Sequence, residues 1–249
     1  MKRFALVAAA LFILVAAATP ALAQTPKYKA VAFDYFVIFN PNSVVDDVEK
    51  VFPGKGLEFT KAWRAKQFEY GFLRSITDRH DDFYKVTEDA LLYTIDNMKL
   101  SATDAQKTQL LEAYLSLEPW PDAAAGLKKL KDAGVKIITI ANFSKKMLQA
   151  NADHAGITPL FDELLSTEVN KTYKPDPKAY ALGMEHLGLK KEEIAFAAFG
   201  GWDAYGAKNF GYPTYWVNRF NLPAERVDLP PDATSGDFAG LLDFVLGAE

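Results

Sequence analysis

Short apolar runs rich in β-branched residues recur along the chain at Ala30–Phe33, Val135–Ile140 and Ile194–Phe199, with a fourth at Tyr212–Val217. Their length and lack of strict alternation predict strands buried on both faces, as in a parallel sheet. Between them, Asp122–Ala133, Ser144–Ala155 and Pro177–Leu187 carry apolar residues at helical spacing, and each is followed by a glycine, at 134, 156 and 188. A glycine just past a periodic run is a helix stop, because it takes the left-handed conformation without a Cβ clash. Strand and helix in alternation predict an α/β fold with a Rossmann-like, doubly wound parallel sheet.

Residues 42–117 break this rhythm. They contain no strand pattern and read as successive amphipathic helices at Val44–Phe52, Glu58–Phe72, Asp81–Met98 and Ala102–Leu117. Glu118-Pro119-Trp120-Pro121 then returns the chain to the alternating pattern. The predicted organisation is a core of residues 24–41 and 118–249 with a helical cap, 42–117, inserted after the first strand. A cap placed there lies over the carboxyl ends of the strands, where open α/β sheets bind ligands.

The first 23 residues stand outside this scheme. Met1-Lys2-Arg3 is basic, Phe4–Ala18 is apolar and uncharged, and Ala21-Leu22-Ala23 is a small-x-small cleavage pattern. That is a signal peptide, which implies export to a bacterial periplasm and no membrane association after cleavage. The chain has no cysteine, which excludes thiolate metal sites and cysteine nucleophiles. The net charge of −4 becomes more negative once Lys2 and Arg3 leave, so nothing favours nucleic acid or an anionic membrane as partner. His80, His154 and His186 lack metal-ligand spacing.

Candidate chemistry begins at Asp34, a carboxylate that ends the first apolar run. The second strand runs out at Ala141-Asn142-Phe143, a basic residue sits in Tyr173-Lys174-Pro175-Asp176-Pro177, and the third strand runs out at Gly200-Gly201-Trp202-Asp203. All three segments can converge on Asp34 in one crevice. Each residue also has an ordinary reading: Asp34 as a loop or capping acid, Arg64 as a solvated helix residue, Asp203 as a helix cap, and Phe83 and Trp202 as core.

Five strings carry a resemblance to a known family: FPGKG at 52–56, WRAKQFEYGFLRS at 63–75, DFYKVTEDAL at 82–91, YKPDPKAY at 173–180 and GWDAYGAKNFGYPTYWVNR at 201–219. With Asp34 they resemble the haloacid dehalogenase superfamily, specifically its type II members, the L-2-haloacid dehalogenases. The resemblance implies metal-independent, cofactor-free hydrolysis of short 2-haloacids to 2-hydroxy acids through an aspartyl ester. It assigns Asp34 as nucleophile, Arg64 as halide acceptor, Lys174 as the cation that holds Asp34, and Asp203 as the base for ester hydrolysis. It places Phe36, Phe83 and Trp202 around the carbon–halogen bond, and the main-chain N–H groups of Tyr35, Asn142 and Phe143 on the substrate carboxylate. It also implies a homodimer formed through the cap.

The chain departs from that family at several polar positions. The loop after Asp34 lacks a Gly-Thr pair, Ala141 replaces a serine, and Ala198 and Gly200 replace a serine and an asparagine. Phe36 occupies the position where the superfamily's magnesium-dependent phosphatases carry a second acid. Two further readings stay open at this point: a hydrolase of another small substrate such as a phosphomonoester, and a catalytically impaired periplasmic protein that binds small carboxylates.

Overall fold

The computed structural model describes residues 25–247, so the predicted signal peptide lies outside the described residues. Six parallel strands form one sheet in the order β3-β2-β1-β4-β5-β6: β1 (Ala30–Phe33), β2 (Lys136–Ala141), β3 (Glu163–Ser166), β4 (Ile194–Ala198), β5 (Thr214–Val217) and β6 (Ala233–Ser235). Helices α1 (Tyr35–Ile38), α2 (Val45–Val51), α3 (Gly56–Ile76), α4 (Phe83–Asn97) and α5 (Asp104–Ala113) lie between β1 and β2 in the chain. The remaining helices are α6 (Ala123–Asp132), α7 (Lys145–His154), α8 (Pro177–Leu187), α9 (Gly201–Phe210) and α10 (Phe238–Leu246).

The alternation of side chains along each strand divides the core into two layers. Val31, Phe33, Ile137, Ala195 and Val217 face α6, α7 and α10. Ala30, Ala32, Ile138, Phe196 and Ala198 face α8 and α9. Strand order grows from β1 in both directions, so the chain reverses between β1 and β4. A reversal of this kind leaves a crevice at the carboxyl ends of the two strands. Asp34 sits there, its main-chain N–H donating to the Ala197 carbonyl at 2.9 Å.

Helices α3 and α4 are locked together by Trp63, whose Nε1 donates to the Thr87 carbonyl at 2.9 Å, and by Gln67, whose Nε2 donates to Thr87 Oγ1 at 3.1 Å. The return segment is tied to the sheet domain by Asn151 on α7, which accepts from Leu117 N–H and donates to the Tyr114 carbonyl. At the far end of α3, Ser75 Oγ lies 2.7 Å from Thr172 Oγ1, just before Lys174. The inserted helices therefore reach the loop that carries the site's lysine.

One sequence expectation needs revision, and two regions add elements that no pattern announced. The segment after Asp34 is not a loop but the one-turn helix α1, because the Asp34 side chain caps it by accepting from Phe36 N–H. Strand β3, for which the sequence carries no strand pattern, pairs with β2 at the sheet edge. The C-terminal part, left without elements, adds β6 on β5 and the helix α10, capped by Asp237.

Candidate active site

Asp34 is held at both carboxylate oxygens. Oδ1 accepts from Phe36 N–H at 2.9 Å, and Oδ2 lies 2.6 Å from Lys174 Nζ. Lys174 Nζ also donates to Asp203 Oδ2 at 2.7 Å, so one ammonium bridges two carboxylates. The Lys174 and Asp203 side chains are fully buried, whereas Asp34 keeps 13% exposure. Asp34 is thus the one member of the triad that a ligand can reach.

Burial works against the Lys174 charge, but Asp203 and Asp34 together hold its ammonium above the ordinary lysine range. Burial pushes the Asp203 carboxyl up to about 7; Lys174 opposes the rise and Asp34 adds to it. Asp203 Oδ1 accepts from the Tyr180 hydroxyl at 2.7 Å. Burial holds the Tyr180 phenol well above its usual range, so it serves as donor. A close approach of α8 and α9 makes this contact: a Cβ at Gly206 would collide with the Tyr180 hydroxyl and with Pro175.

Lys174 is placed by its backbone as well. Its N–H donates to Asn142 Oδ1 at 2.8 Å, and Asn142 stands at the end of β2. Asp203 lies in the first turn of α9, whose N-cap is Gly200, so Asp203 is not that helix's cap.

In front of Asp34 lies a cavity of about 170 Å³, lined by Phe36, Arg64, Phe68, Trp202, Arg219 and Phe220 among others. Arg64 reaches it from α3. Its Nη1 donates to Asn42 Oδ1 at 3.0 Å and its guanidinium lies 5.9 Å from the Phe220 ring centre, with no ion pair among the described residues. Burial lowers the Arg64 value, yet a guanidinium keeps its proton at any ordinary pH. Trp202 closes the wall by packing edge-to-face on Phe68 and Phe72 of α3.

The structure brings Asp34, Lys174, Asp203, Arg64, Phe36 and Trp202 to one crevice. It does not bring the Phe83 side chain to the cavity, and Tyr35 and Phe143, expected to act through their main-chain N–H groups, turn their side chains elsewhere. Phe83 stacks on Phe143 in the core, and the Tyr35 hydroxyl donates to the Leu148 carbonyl at 2.6 Å. The Asn142 side chain is spent on Lys174. The main-chain N–H of Tyr35, at the first helical position, has no acceptor within α1. Sequence reading missed Tyr180, although it ends the YKPDPKAY string six residues after Lys174, on the face of α8 turned to the sheet. It also missed Phe68, Phe199 and Phe220, which look like ordinary core aromatics in sequence.

Comparison with known proteins places this geometry. A family model described as a haloacid dehalogenase-like hydrolase matches residues 7–211. The (S)-2-haloacid dehalogenase of Pseudomonas sp. (strain YL) is 39% identical over 205 residues, 82% of this chain and 88% of that protein. Haloacetate dehalogenase H-2 of Moraxella sp. (strain B) is 36% identical over 209 residues, 84% of this chain and 93% of that protein. The structure of L-2-haloacid dehalogenase from Xanthobacter autotrophicus with chloropropionic acid covalently bound superposes with a TM-score of 0.83 at 34% identity, covering 89% of this chain and 100% of that one.

Proposed function

We propose that this chain, which belongs to the haloacid dehalogenase-like hydrolase family, hydrolyses short (S)-2-haloacids to 2-hydroxy acids through an ester on Asp34. The observation that carries this reading is the bridge Asp34–Lys174–Asp203 facing a cavity whose other wall holds Arg64, a cation with no ion pair among the described residues. The relatives named (S)-2-haloacid dehalogenase, and the covalent chloropropionic acid in the Xanthobacter protein, support the same chemistry.

The Asp34 carboxylate attacks the carbon that bears the halogen. As the new C–O bond forms, the carbon–halogen bond breaks, and its electron pair leaves as halide. Arg64 stabilises the charge that develops on the leaving atom; a positioned group of this kind is worth about 3–4 kcal/mol of barrier. Attack from the side opposite the halide inverts the carbon. Asp203 is sealed in this structure, so the second step requires a water to enter beside it once the ester has formed; that water gives a proton to Asp203 and adds to the Asp34 carboxyl carbon. Collapse of that adduct breaks the ester bond; the departing oxygen takes the proton of the adduct's hydroxyl, which releases the 2-hydroxy acid and regenerates the Asp34 carboxylate, and Asp203 gives its proton to solvent. The lift of the Asp203 carboxyl toward neutral pH suits a base that must accept and release a proton.

Phosphomonoester hydrolysis has no comparable support. Phe36 stands where a second acid would serve it, and among the described residues no group of three or more His, Cys, Asp or Glu could hold a metal ion. The direct test of the proposal is halide release by the purified protein. Stoichiometric halide and 2-hydroxypropionate from (S)-2-chloropropionate are expected; no halide from any short 2-haloacid sinks the reading.

We extend the proposal to location and assembly. The N-terminal 23 residues direct export and are removed, which predicts a mature chain starting at Gln24 in a periplasmic fraction. The exposed Leu73, Ile76, Leu92 and Tyr93 on α3 and α4 support a homodimer through these helices. Light scattering at twice the monomer mass is expected, and a monomer at all concentrations removes that part of the proposal.

A further inference from the structure

The one-turn helix that follows the nucleophile satisfies only its first carbonyl, Tyr35, which accepts from Phe39 N–H at 3.0 Å. No following turn donates to the other three, and buried carbonyls need partners. All of Tyr35, Phe36, Val37 and Ile38 are buried. Three carbonyls are taken from outside. Trp120 Nε1 donates to the Phe36 carbonyl at 3.0 Å, Arg219 Nη2 donates to the Val37 carbonyl at 3.1 Å, and Trp120 N–H donates to the Ile38 carbonyl at 2.9 Å.

Arg219 is fixed as tightly as the turn it holds. It follows β5 at the carboxyl end of the sheet, and its side chain is 5% exposed. Nη1 donates to Asp122 Oδ2 at 2.8 Å, and the same oxygen accepts from Phe238 N–H at the start of α10. The guanidinium lies 5.0 Å from the Trp120 ring centre and 5.5 Å from that of Phe238. Burial disfavours the Asp122 charge, but Arg219 and Phe238 N–H hold its carboxyl below the usual range, so the ion pair persists at neutral pH. Arg219 lines the cavity beside Arg64, yet both its terminal nitrogens are engaged. Its Nε is buried with no hydrogen-bond partner among the described residues, whereas Arg64 has a protein acceptor on only one terminal nitrogen.

We infer that Arg219 and Trp120 are positioning residues for the nucleophile: they clamp the carbonyls of the Phe36–Ile38 turn and so fix the Phe36 N–H that orients Asp34. This inference rests on the reading of Asp34 as nucleophile. A small displacement of an attacking group is costly, because reactivity depends on a near-attack geometry that the surrounding structure must hold. The clamp acts on rate rather than on affinity, since the Trp120 Nε1 is spent on Phe36 and both Arg219 terminal nitrogens are already tied to protein acceptors.

Two variants test it. Arg219→Lys keeps a cation for Asp122 but loses the planar fork that also reaches Val37. Trp120→Phe keeps a ring and loses the Nε1 donor. In each, kcat for (S)-2-chloropropionate is expected to fall on the order of 10- to 100-fold, with KM within about twofold of wild type. Amide hydrogen exchange at Phe36 to Phe39 is expected to quicken. Unchanged kcat, a KM rise larger than the kcat fall, or unchanged exchange at the turn each overturn the inference. If Arg219→Lys does not fold, Trp120→Phe, which leaves the buried ion pair intact, decides alone. If the wild type releases no halide, the activity reading fails by itself, and the exchange comparison still decides whether the clamp exists.

Discussion

The two walls of the cavity are built on opposite principles. On the sheet side, all four carboxylate oxygens of Asp34 and Asp203 have a protein donor at 2.6–2.9 Å, and Lys174 is shared between the acids with no exposure at all. On the helical side, Arg64 has one side-chain hydrogen bond, at 3.0 Å, and no ion pair among the described residues. The sheet wall is preorganised and closed; the helical wall holds back a charge. A closed network is expensive to break, because any removal strands a buried charge. A withheld cation costs stability while it waits and returns that cost as rate when an anion forms beside it.

The largest effect tests the nucleophile. Asp34→Asn is expected to lower halide release by about 10⁴-fold or more, the scale seen when a covalent nucleophile is removed, while circular dichroism stays that of the wild type. Lys174→Met comes next, because it fails on both counts. It leaves Asp203 buried opposite Asp34 without a counter-ion, so halide release is lost and unfolding by urea should show a loss of about 3–5 kcal/mol. Arg64→Gln should separate the two walls. Its kcat falls about 100- to 1,000-fold, yet its melting temperature stays equal or rises, since a half-buried cation with no ion pair among the described residues has been removed. A large drop in melting temperature would erase the contrast between the walls.

The smallest effect is the finest probe. Tyr180→Phe removes a donor that lowers the Asp203 value, so the carboxyl moves further above about 7. The acid limb of the kcat profile should shift to higher pH, with a loss of a few-fold near pH 8 that grows below pH 7. Stability has the opposite sign. Because the folded value of Asp203 lies above the roughly 3.9 of an unfolded aspartate, the folded state binds this proton more tightly. Its ionisation therefore weakens the fold as pH rises from about 4 to about 7, and the effect is constant above that. Lys174, whose value is raised, contributes stability that is fully present below the ordinary lysine range and is lost only as pH climbs through its folded value.

Much of the fold was legible because its central strands are buried on both faces. Ala30–Phe33 matches β1, and Ile194–Ala198 sits within the run read as strand. The edges were not. Glu163–Ser166 is half-buried, and Ala233–Ser235 is short and polar; both become strands only because a neighbour offers a ladder. Site residues divide the same way. Asp34 announced itself by ending an apolar run, whereas nothing local to Lys174 says that it is fully buried. A lysine is normally exposed, and only two acids from β1 and α9 make its burial tolerable. Asn142, read as a substrate ligand through its main chain, spends its side chain on the Lys174 backbone. Arg219 could not be read at all, because its partners lie 97 and 182 positions away, at Asp122 and Val37.

The ester on Asp34 can be caught directly. Asp203→Asn retains the nucleophile and removes the base, so the first step should run once and the second should stall. Incubation with (S)-2-chloropropionate, quenching, and mass spectrometry of the peptide that carries Asp34 should show one 1-carboxyethyl ester on that residue and one halide released per chain. An unmodified Asp34 alongside released halide, or continued turnover by Asp34→Asn, would contradict the ester mechanism.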